Sequence, residues 1–375
     1  MEREIAELYL KFQKTAGIGP ATFAKLIRHF GSIRKIKEAN EYELRKFLSP
    51  VIVEELFERM NKEDPEVNRE IDNLYRLGAE LVVYESENYP RLLREISSPP
   101  SVLYIRGKLL PGDERAIAVV GTRHPTPHGK SATEKICEEL VRYGFTIISG
   151  LAQGIDSIAH RSALQAGGRT IGVLGCGIDR VYPASNAWLF HEVMMKGCLI
   201  SEFPLGTPPN AYNFPKRNRI ISGMALGTII AEAGEKSGAL ITANYALEQN
   251  RELFAIPGPI DSEKSAGVNR LIEEGAIPVT SARIVAETLL PSIEPLYPTP
   301  VEMAKPVQEL KEETPEYKPS SAEQKLLAIL SKEPVHIDTI AERLGIPIKD
   351  VLSLLFAFEL KGVVKQFPGK YFIKV

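Results

Sequence analysis

Cysteine and tryptophan are rare in this sequence of 375 residues, which has three of the first and one of the second. The cysteines are widely spaced in apolar stretches and lack the Cys-x-x-Cys spacing typical of a zinc site. An odd number of such cysteines also predicts no disulfide framework. We therefore expect Cys137, Cys176 and Cys198 to be small buried residues of the core and expect no metal site.

An excess of charge of either sign is also absent, because 46 basic residues are balanced by 48 acidic ones, for a formal net charge of −2. Without a broad positive field, the protein must bind any nucleic acid through a local cluster of basic residues. No apolar run reaches membrane-spanning length, and residues 1–12 (MEREIAELYLKF) lack the basic start and apolar centre of a signal peptide. The sequence thus predicts a soluble, cytoplasmic protein.

Proline is abundant late in the chain and predicts a domain boundary there. Residues 291–319 contain seven prolines and no sustained periodicity, which indicates a semi-rigid linker. We predict an N-terminal helical domain over 1–65, a connector over 66–114, a Rossmann-like domain over 115–290 and a small C-terminal domain over 320–375.

Residues 115–281 alternate short β-branched runs with amphipathic stretches such as 130–143 and 239–249. This alternation predicts a doubly wound, mainly parallel α/β sheet, which binds ligands at the carboxyl ends of its strands. Glycine-rich or polar turns follow these strands at 121–123, 150–154 and 175–177. The predicted strands are 116–120, 146–149, 170–174, 199–201, 228–231, 253–256 and 278–280.

Three familiar phosphate-binding motifs are each incomplete in this region. Arg123 stands where the dinucleotide fingerprint needs its second glycine. The segment 124–131 (HPTPHGKS) ends like a P-loop, but Pro125 and Pro127 lack the N–H groups that hold phosphate. A phosphoribohydrolase of the lysine decarboxylase-like kind would have a PGGxGT loop, whereas residues 232–238 read EAGEKSG. We therefore expect no cofactor and no ATP hydrolysis at these loops, with nucleotide hydrolysis of the phosphoribohydrolase kind as the alternative.

The sequence does contain a possible anion site whose residues come from several segments. Arg123 leaves the first strand on a short turn, where its forked donors suit a phosphate. The run 213–219 (NFPKRNR) places basic residues around Phe214, which supplies charge for a backbone and a ring for a base. Ser237 and Gly238 open a helix and offer N–H groups to an anion. These features predict a binding site for single-stranded nucleic acid.

Several segments resemble the DNA-processing protein A (DprA/Smf) family in order and spacing. The resemblance implies a Rossmann-like domain that binds single-stranded DNA, acts as a homodimer and loads RecA recombinase onto incoming DNA during natural transformation. It implies no catalytic activity. The segments are VVGTR (119–123), SGLAQGIDSIAH (149–160), TIGVLGCGIDRVYP (170–183), SEFPLGTPP (201–209), FPKRNRIISG (214–223), EAGEKSGALITA (232–243) and FAIPG (254–258).

The resemblance also implies roles for single residues, because Arg123 matches the arginine of the family's Gly-Ser/Thr-Arg turn. Many relatives carry a basic residue after the Tyr-Pro of the third segment, where this sequence has Ala184. Either one pocket charge is missing or Lys216 replaces it, and Asn186 remains as a polar contact. The predicted DNA and phosphate contacts are Gly121, Thr122, Arg123, Gly150, Gly154, Asn186, Phe214, Lys216, Arg217, Asn218, Arg219, Ser237, Gly238 and Thr242.

The two flanking segments have weaker signatures. Residues 17–27 (GIGPATFAKLI) resemble half of a helix-hairpin-helix unit, whose hairpin offers N–H groups to phosphate, or a packing module like a sterile-alpha-motif domain. We favour the packing module. Residues 320–375 predict a winged helix with a helix pair at 339–344 and 348–360. The latter helix carries no basic residue between Lys349 and Lys361, and we place Ser353 and Ala357 on its outward face. We expect it to contact protein rather than duplex DNA.

Overall fold

A computed structural model describes residues 3–290, 321–331, 335–360, 363–367 and 370–374. The chain divides into two compact units, Met1–Lys305 and Pro306–Val375. The linker predicted over 291–319 lies outside the described residues. Cys137, Cys176 and Cys198 are buried and free, as expected.

The first unit begins with helices that pack around an aromatic core. Tyr9, Phe12 and Phe23 are almost fully buried, and the ring of Phe23 meets the other two edge to face. Proline in the first turn of three of these helices fits a position where no N–H donor is needed. The helices are α1 (Arg3–Lys14), α2 (Pro20–Phe30), α3 (Ile33–Glu38), α4 (Glu41–Leu44), α5 (Pro50–Asn61) and α6 (Pro65–Leu77).

A nine-stranded sheet follows, with strand order β1-β2-β6-β5-β4-β3-β7-β8-β9. Strands β3 to β9 are mutually parallel, whereas β1 and β2 pair antiparallel at one edge. In chain order the strands are β1 (Glu80–Val83), β2 (Val102–Gly107), β3 (Ala116–Val120), β4 (Thr146–Ser149), β5 (Thr170–Val173), β6 (Cys198–Ser201), β7 (Gly227–Ile230), β8 (Glu252–Ala255) and β9 (Ile277–Pro278). The predicted mainly parallel α/β sheet is confirmed.

Helices cover both faces of the parallel part of this sheet. Strands β3 to β7 are therefore buried at every residue, which explains their continuous apolar runs. The helices are α7 (Arg91–Arg94), α8 (Pro127–Arg142), α9 (Ile155–Gln165), α10 (Ala187–Lys196), α11 (Asn213–Gly223), α12 (Ala239–Glu248), α13 (Ala266–Glu273) and α14 (Ala282–Leu289). Helices α8 and α12 match the two amphipathic stretches at 130–143 and 239–249.

The strand order reverses beside β3, because β4, β5 and β6 lie on one side of it and β7, β8 and β9 on the other. The chain segments that leave β3 and β7 therefore diverge, and a crevice opens between them at the carboxyl ends of the strands. This is the edge at which the sequence predicts the binding site.

Residues 66–114, predicted as a connector, contribute the two antiparallel strands β1 and β2 to the sheet. Strand β2 pairs with β6 from Tyr104 opposite Ser201 to Gly107 opposite Cys198. This segment is therefore part of the sheet, to which it is joined by the hydrogen bonds between β2 and β6. The division into domains itself stays a prediction.

The second unit has the arrangement of a winged helix, as predicted. Its helices are α15 (Ser321–Ile329), α16 (Ile337–Leu344) and α17 (Ile348–Leu360), and its strands are β10 (Val335–His336), β11 (Val364–Phe367) and β12 (Tyr371–Lys374). The three strands form one antiparallel sheet, of which β10 was not expected. Gly345 ends α16 with a positive φ of 69°, a conformation that glycine adopts readily. The side chains of Ser353 and Ala357 lie outside the described residues.

Within the described parts of the chain, no helix has both the length and the apolar character needed to span a membrane. The same residues contain no cluster of three or more histidine, cysteine, aspartate or glutamate side chains that could hold a metal ion.

Candidate nucleic-acid interface

A crevice of about 480 Å³ lies where the chain leaves β3 and β7. A smaller pocket of about 110 Å³ adjoins it at the ends of β4 and β5. The two share Arg123, Ala152, Tyr182 and Phe214, so together they form one continuous concave surface. We call this surface the crevice.

Arg123 is the exposed cation of the crevice. It lies on the turn after β3, which is anchored because the Thr122 N–H donates to the carbonyl of Glu232 at 2.7 Å. The guanidinium Cζ lies 5.8 Å from the centre of the Phe214 ring. Apart from this contact with the ring, its donors form no hydrogen bond or ion pair with any residue that the structure describes. A forked donor left free in this way is available to an anionic ligand.

Gly154 fixes the turn that carries Arg123. Its φ of 81° lies in the region that favours glycine. A Cβ atom there would lie 2.4 Å from the carbonyl oxygen of Thr122 and 2.6 Å from that of Arg123. The loop after β4 can therefore pack closely beneath the turn after β3 only because this residue has no side chain.

Phe214 and Tyr182 form an aromatic surface beside Arg123. Their ring centres are 5.4 Å apart, and the ring planes differ by 35°. The Phe214 ring rests on Gly175, where a Cβ atom would lie 2.7 Å from Cδ1 of the ring. A cation next to two ring faces is the combination that binds the backbone and bases of a single strand.

Arg217, in contrast, is almost fully buried, with 3% of its surface exposed. Its Nη1 donates to the carbonyl of Gly150 at 2.9 Å and to that of Val173. A Cβ atom on Gly150 would lie 2.5 Å from Nη2, so this glycine makes room for the guanidinium. Arg217 therefore ties α11 to the ends of β4 and β5, although it also lines the crevice.

Burial governs the electrostatics beneath the crevice. It lowers the pKa of Arg217 to about 10, against the opposing effect of the Asp156 carboxylate. It also raises the pKa of Asp156, which accepts a hydrogen bond from the Gly150 N–H at 3.1 Å. The two side chains compensate each other's charge inside the protein.

Lys216 and Arg219 lie on the opposite side of α11 from Phe214. Arg219 is buried and paired with Glu202, and Lys216 lies over the ring of Tyr212, 5.4 Å from its centre. The run 213–219 was expected to place its three cations around one ring. Because the run is helical, its cations instead point in different directions.

Asn186 is also buried. Its side-chain amide donates to the carbonyl of Leu151 at 2.9 Å and to Oγ of Ser157 at 2.8 Å. At the other end of the crevice, Ser237, Gly238 and Thr242 line it from the start of α12.

Most of the predicted contacts converge on the crevice, but Gly154, Asn186, Lys216 and Arg219 do not line it. The residues that converge are Gly121, Thr122, Arg123, Gly150, Phe214, Arg217, Asn218, Ser237, Gly238 and Thr242.

Tyr182 is a lining residue that the sequence analysis did not single out. Its only sequence signal was the Tyr-Pro pair after the β5 turn, which we used as a family marker and not as a contact. The P-loop-like segment 124–131 begins α8, with Thr126 as its N-cap and Pro127 as its first residue. Glu232 accepts a hydrogen bond from the Thr126 N–H at 2.8 Å, so this carboxylate is committed to the start of the helix.

Comparison with known proteins identifies the family of the chain. Residues 80–290 match the family model described as DNA recombination-mediator protein A, and residues 311–370 match the one described as the DprA winged helix domain. The chain is 35% identical to Protein Smf of Synechocystis over 96% of each chain. It is 40% identical to Protein Smf of Escherichia coli over 78% of this chain and 76% of that protein.

Solved structures give the same result. The structure of DNA processing protein A from Streptococcus pneumoniae aligns with a TM-score of 0.67 and 33% identity, covering 76% of this chain and 98% of that one. The protein of the same name from Helicobacter pylori, whose structure addresses its single-stranded DNA binding mode, aligns with a TM-score of 0.52 and 31% identity over 58% of this chain and 97% of that one. This chain belongs to the DNA recombination-mediator protein A (DprA/Smf) family.

Proposed function

We propose that this protein is a cytoplasmic, non-enzymatic DNA-binding protein whose crevice holds single-stranded DNA. The observation that carries the proposal is the free guanidinium of Arg123 beside the rings of Phe214 and Tyr182. The guanidinium binds a phosphate while the rings stack on an adjacent base. The Helicobacter pylori relative, described by its single-stranded DNA binding mode, supports this ligand.

The crevice favours a single strand over a duplex for a geometric reason. Its aromatic surface lines a concave site at the strand ends, where the rings can stack only on an unstacked base. In B-form DNA the base faces are already stacked within the helix. The overall charge of −2 adds no attraction for duplex DNA.

The proposal extends to the role of the family. As a recombination mediator, the protein acts as a homodimer and loads RecA recombinase onto the bound strand. Membership in the family described as DNA recombination-mediator protein A supports this part of the proposal.

The two carboxylates near the crevice already accept hydrogen bonds from the protein, which supports DNA binding rather than nucleotide hydrolysis. Glu232 accepts hydrogen bonds from the backbone and hydroxyl of Thr126, and buried Asp156 accepts one from Gly150. A general base must have a lone pair within reach of the proton it removes. Both carboxylates already accept hydrogen bonds from the protein, Glu232 from the start of α8 and Asp156 from the loop after β4.

Titration of the pure protein with labelled single-stranded and duplex oligonucleotides at two salt concentrations tests the proposal. We expect the single strand to bind more tightly, with an affinity that falls as salt rises because each neutralised phosphate releases counterions. Equal affinity for the two forms would refute the crevice as the site. Release of free base from nucleoside monophosphates under the same conditions would instead establish the hydrolase alternative.

A further inference from the structure

A second cleft lies on the other side of α11, between that helix and the N-terminal helices of the same unit. We call it the groove. Its volume is about 570 Å³, within the usual range for small-ligand sites. The N-terminal helices contribute Gln13, Gly19, Pro20 and Ala21 to its wall, whereas Phe203, Lys216, Arg219 and Tyr245 come from the part that contains the sheet.

Helix α11 separates the groove from the crevice. Phe214, Arg217, Asn218 and Ile221 line the crevice, and their spacing of three or four residues places them on one face of the helix. Lys216 and Arg219 line the groove, on the face turned away from Phe214. A single helix thus supplies side chains to two neighbouring clefts.

The groove contains polar groups that the protein itself does not satisfy. Arg219 is 6% exposed, and its Nη1 has no hydrogen-bond partner among the described residues. The adjacent Oε1 of Glu202 also lacks one within that part of the chain. A buried donor and a buried acceptor left unpaired side by side are costly, and a polar ligand or the water it retains would satisfy both.

The remaining lining suits a nucleic-acid strand. The exposed ammonium of Lys216 adds a positive charge, so Glu202, Lys216 and Arg219 together leave the groove wall with net positive charge. Helix α2 begins at the groove with Gly19 as its N-cap and no side-chain cap, and its N-terminus favours an anion. Half-buried Phe203 and Tyr245 provide aromatic faces.

Tyr212 connects the two clefts. It precedes the first residue of α11 and is 62% exposed, and its neighbour Ala211 lines the crevice. Lys216, one helical turn later, lies over the Tyr212 ring and lines the groove. An exposed ring with an adjacent cation is therefore placed on the edge that a strand must cross to pass from one cleft to the other.

We propose that the groove is a second nucleotide-binding subsite, which a single strand enters from the crevice by crossing Tyr212 and Lys216. This inference rests on the proposed function of the crevice and extends it. A base stacks on Tyr212, the following phosphate lies against Lys216, and the next nucleotide enters the groove beside the start of α2. The N-terminal helices thus take part directly in holding the strand.

The test compares two oligonucleotides, one of about four thymidines, which fills only the crevice, and one of about fifteen. Tyr212→Ala and Lys216→Ala are each expected to weaken binding of the longer strand by about fivefold or more, the loss of one stacked base or one phosphate contact. Their effect on the shorter strand should stay below about twofold. Loss of affinity that is equal for the two lengths, or no loss for either, would overturn the second subsite.

Tyr42 and Lys46 offer a matched control. Lys46 lies over the exposed ring of Tyr42 at 5.2 Å, with the same sequence spacing as Tyr212 and Lys216, and neither residue lines the groove or the crevice. Tyr42→Ala and Lys46→Ala should leave both affinities unchanged. Equal weakening in these controls would trace the effect to surface charge in general and contradict the proposal.

A variant that fills the groove gives an independent result. Ala21 is exposed on the groove wall and far in sequence from α11. Ala21→Trp should weaken binding of the longer strand and spare the shorter one, whereas unchanged binding of both would contradict occupation of the groove. If the wild-type protein binds neither oligonucleotide, the proposed function itself fails, which is a distinct outcome.

Discussion

Arg123 and Arg217 lie near the same phenylalanine ring in opposite environments. Their guanidinium carbons are 5.8 Å and 6.0 Å from the centre of Phe214. Arg123 is exposed on a turn and unpaired within the described structure, whereas Arg217 is buried and donates to two backbone carbonyls. Residue type alone therefore does not identify a ligand contact. One arginine is free to bind DNA, and the other builds the surface that DNA would meet.

The largest effect is expected on the buried side of this comparison. Arg217→Ala removes the compensating charge of buried Asp156 and leaves the carbonyls of Gly150 and Val173 without their donor. Each buried acceptor left without its donor costs about 1–3 kcal/mol of stability, and the loss of the positive charge near the Asp156 carboxylate adds to this. Urea denaturation of Arg217→Ala beside wild type measures this loss directly. If the variant unfolds at the same urea concentration as wild type, Arg217 is not a structural residue.

Substitution of the exposed Arg123 should have the opposite result, with little change in stability and a large loss of DNA affinity. Arg123→Ala is expected to change the free energy of unfolding by no more than about 0.5 kcal/mol, as for most surface substitutions. The loss of its charge-assisted contact should weaken binding of single-stranded DNA by about 1.5–3 kcal/mol, or about ten- to a hundredfold. Fluorescence anisotropy and thermal melting of the same sample separate the two effects. Normal affinity in a stably folded variant would remove Arg123 from the site.

His160 is a second buried group near Arg217, and it makes the stability of the protein depend on pH. Burial and the nearby charge of Arg217 lower its pKa to about 3, whereas an unfolded histidine has a pKa of about 6.5. Below pH 6.5 the unfolded state therefore binds a proton that the folded state does not, and stability falls by up to about 1.4 kcal/mol per pH unit.

Denaturation of wild type and His160→Gln between pH 7 and pH 5 isolates this effect. The stability difference should change by about 2 kcal/mol across that range. Burial raises the pKa of Asp156, so this residue makes the stability rise as the pH falls, in contrast to His160. Asp156 is present in both proteins, and its effect therefore cancels in the difference. Parallel pH profiles would show that His160 does not stay neutral in the folded protein.

The sequence predicted the strands well and the helix of the site poorly, for identifiable reasons. Short apolar runs marked every parallel strand to within two residues. For β3 to β7 the reason is that these strands are buried at every residue, which favours apolar side chains on both faces. Helix α11 was missed because Asn213 and Pro215 at its start have poor helix propensity. Because the helix was not predicted, its periodicity could not be used to place Lys216 and Arg219 on the face turned away from the crevice.

Other parts of the site depend on contacts between distant segments. Arg219 reaches Glu202 across 17 residues, and Tyr182 meets Phe214 from a loop after another strand. Neither of these two contacts can be inferred from the sequence pattern around the residues that form it. Arg123 was identified correctly as a crevice residue because a turn directly after a strand has only one place in a parallel sheet.

The smallest effect is expected from the winged helix. Removal of residues 320–375 should leave the affinity of the crevice for single-stranded DNA nearly unchanged, because α17 has no basic residue between Lys349 and Lys361. The slope of affinity against salt should change by less than about one unit, the contribution of one phosphate contact. A decrease of several units in this salt slope for the truncated protein would show that the winged helix binds DNA as well.

A fluorescent base analogue tests the central claim most directly. A single strand that carries 2-aminopurine reports whether a base stacks on the aromatic surface of Phe214 and Tyr182 when the protein binds. We predict a change in its emission on binding to wild type, and a much smaller change at saturation of Phe214→Ala. An unchanged emission on binding to wild type, or an equal change with the variant, would contradict the account of the crevice as the site for the strand.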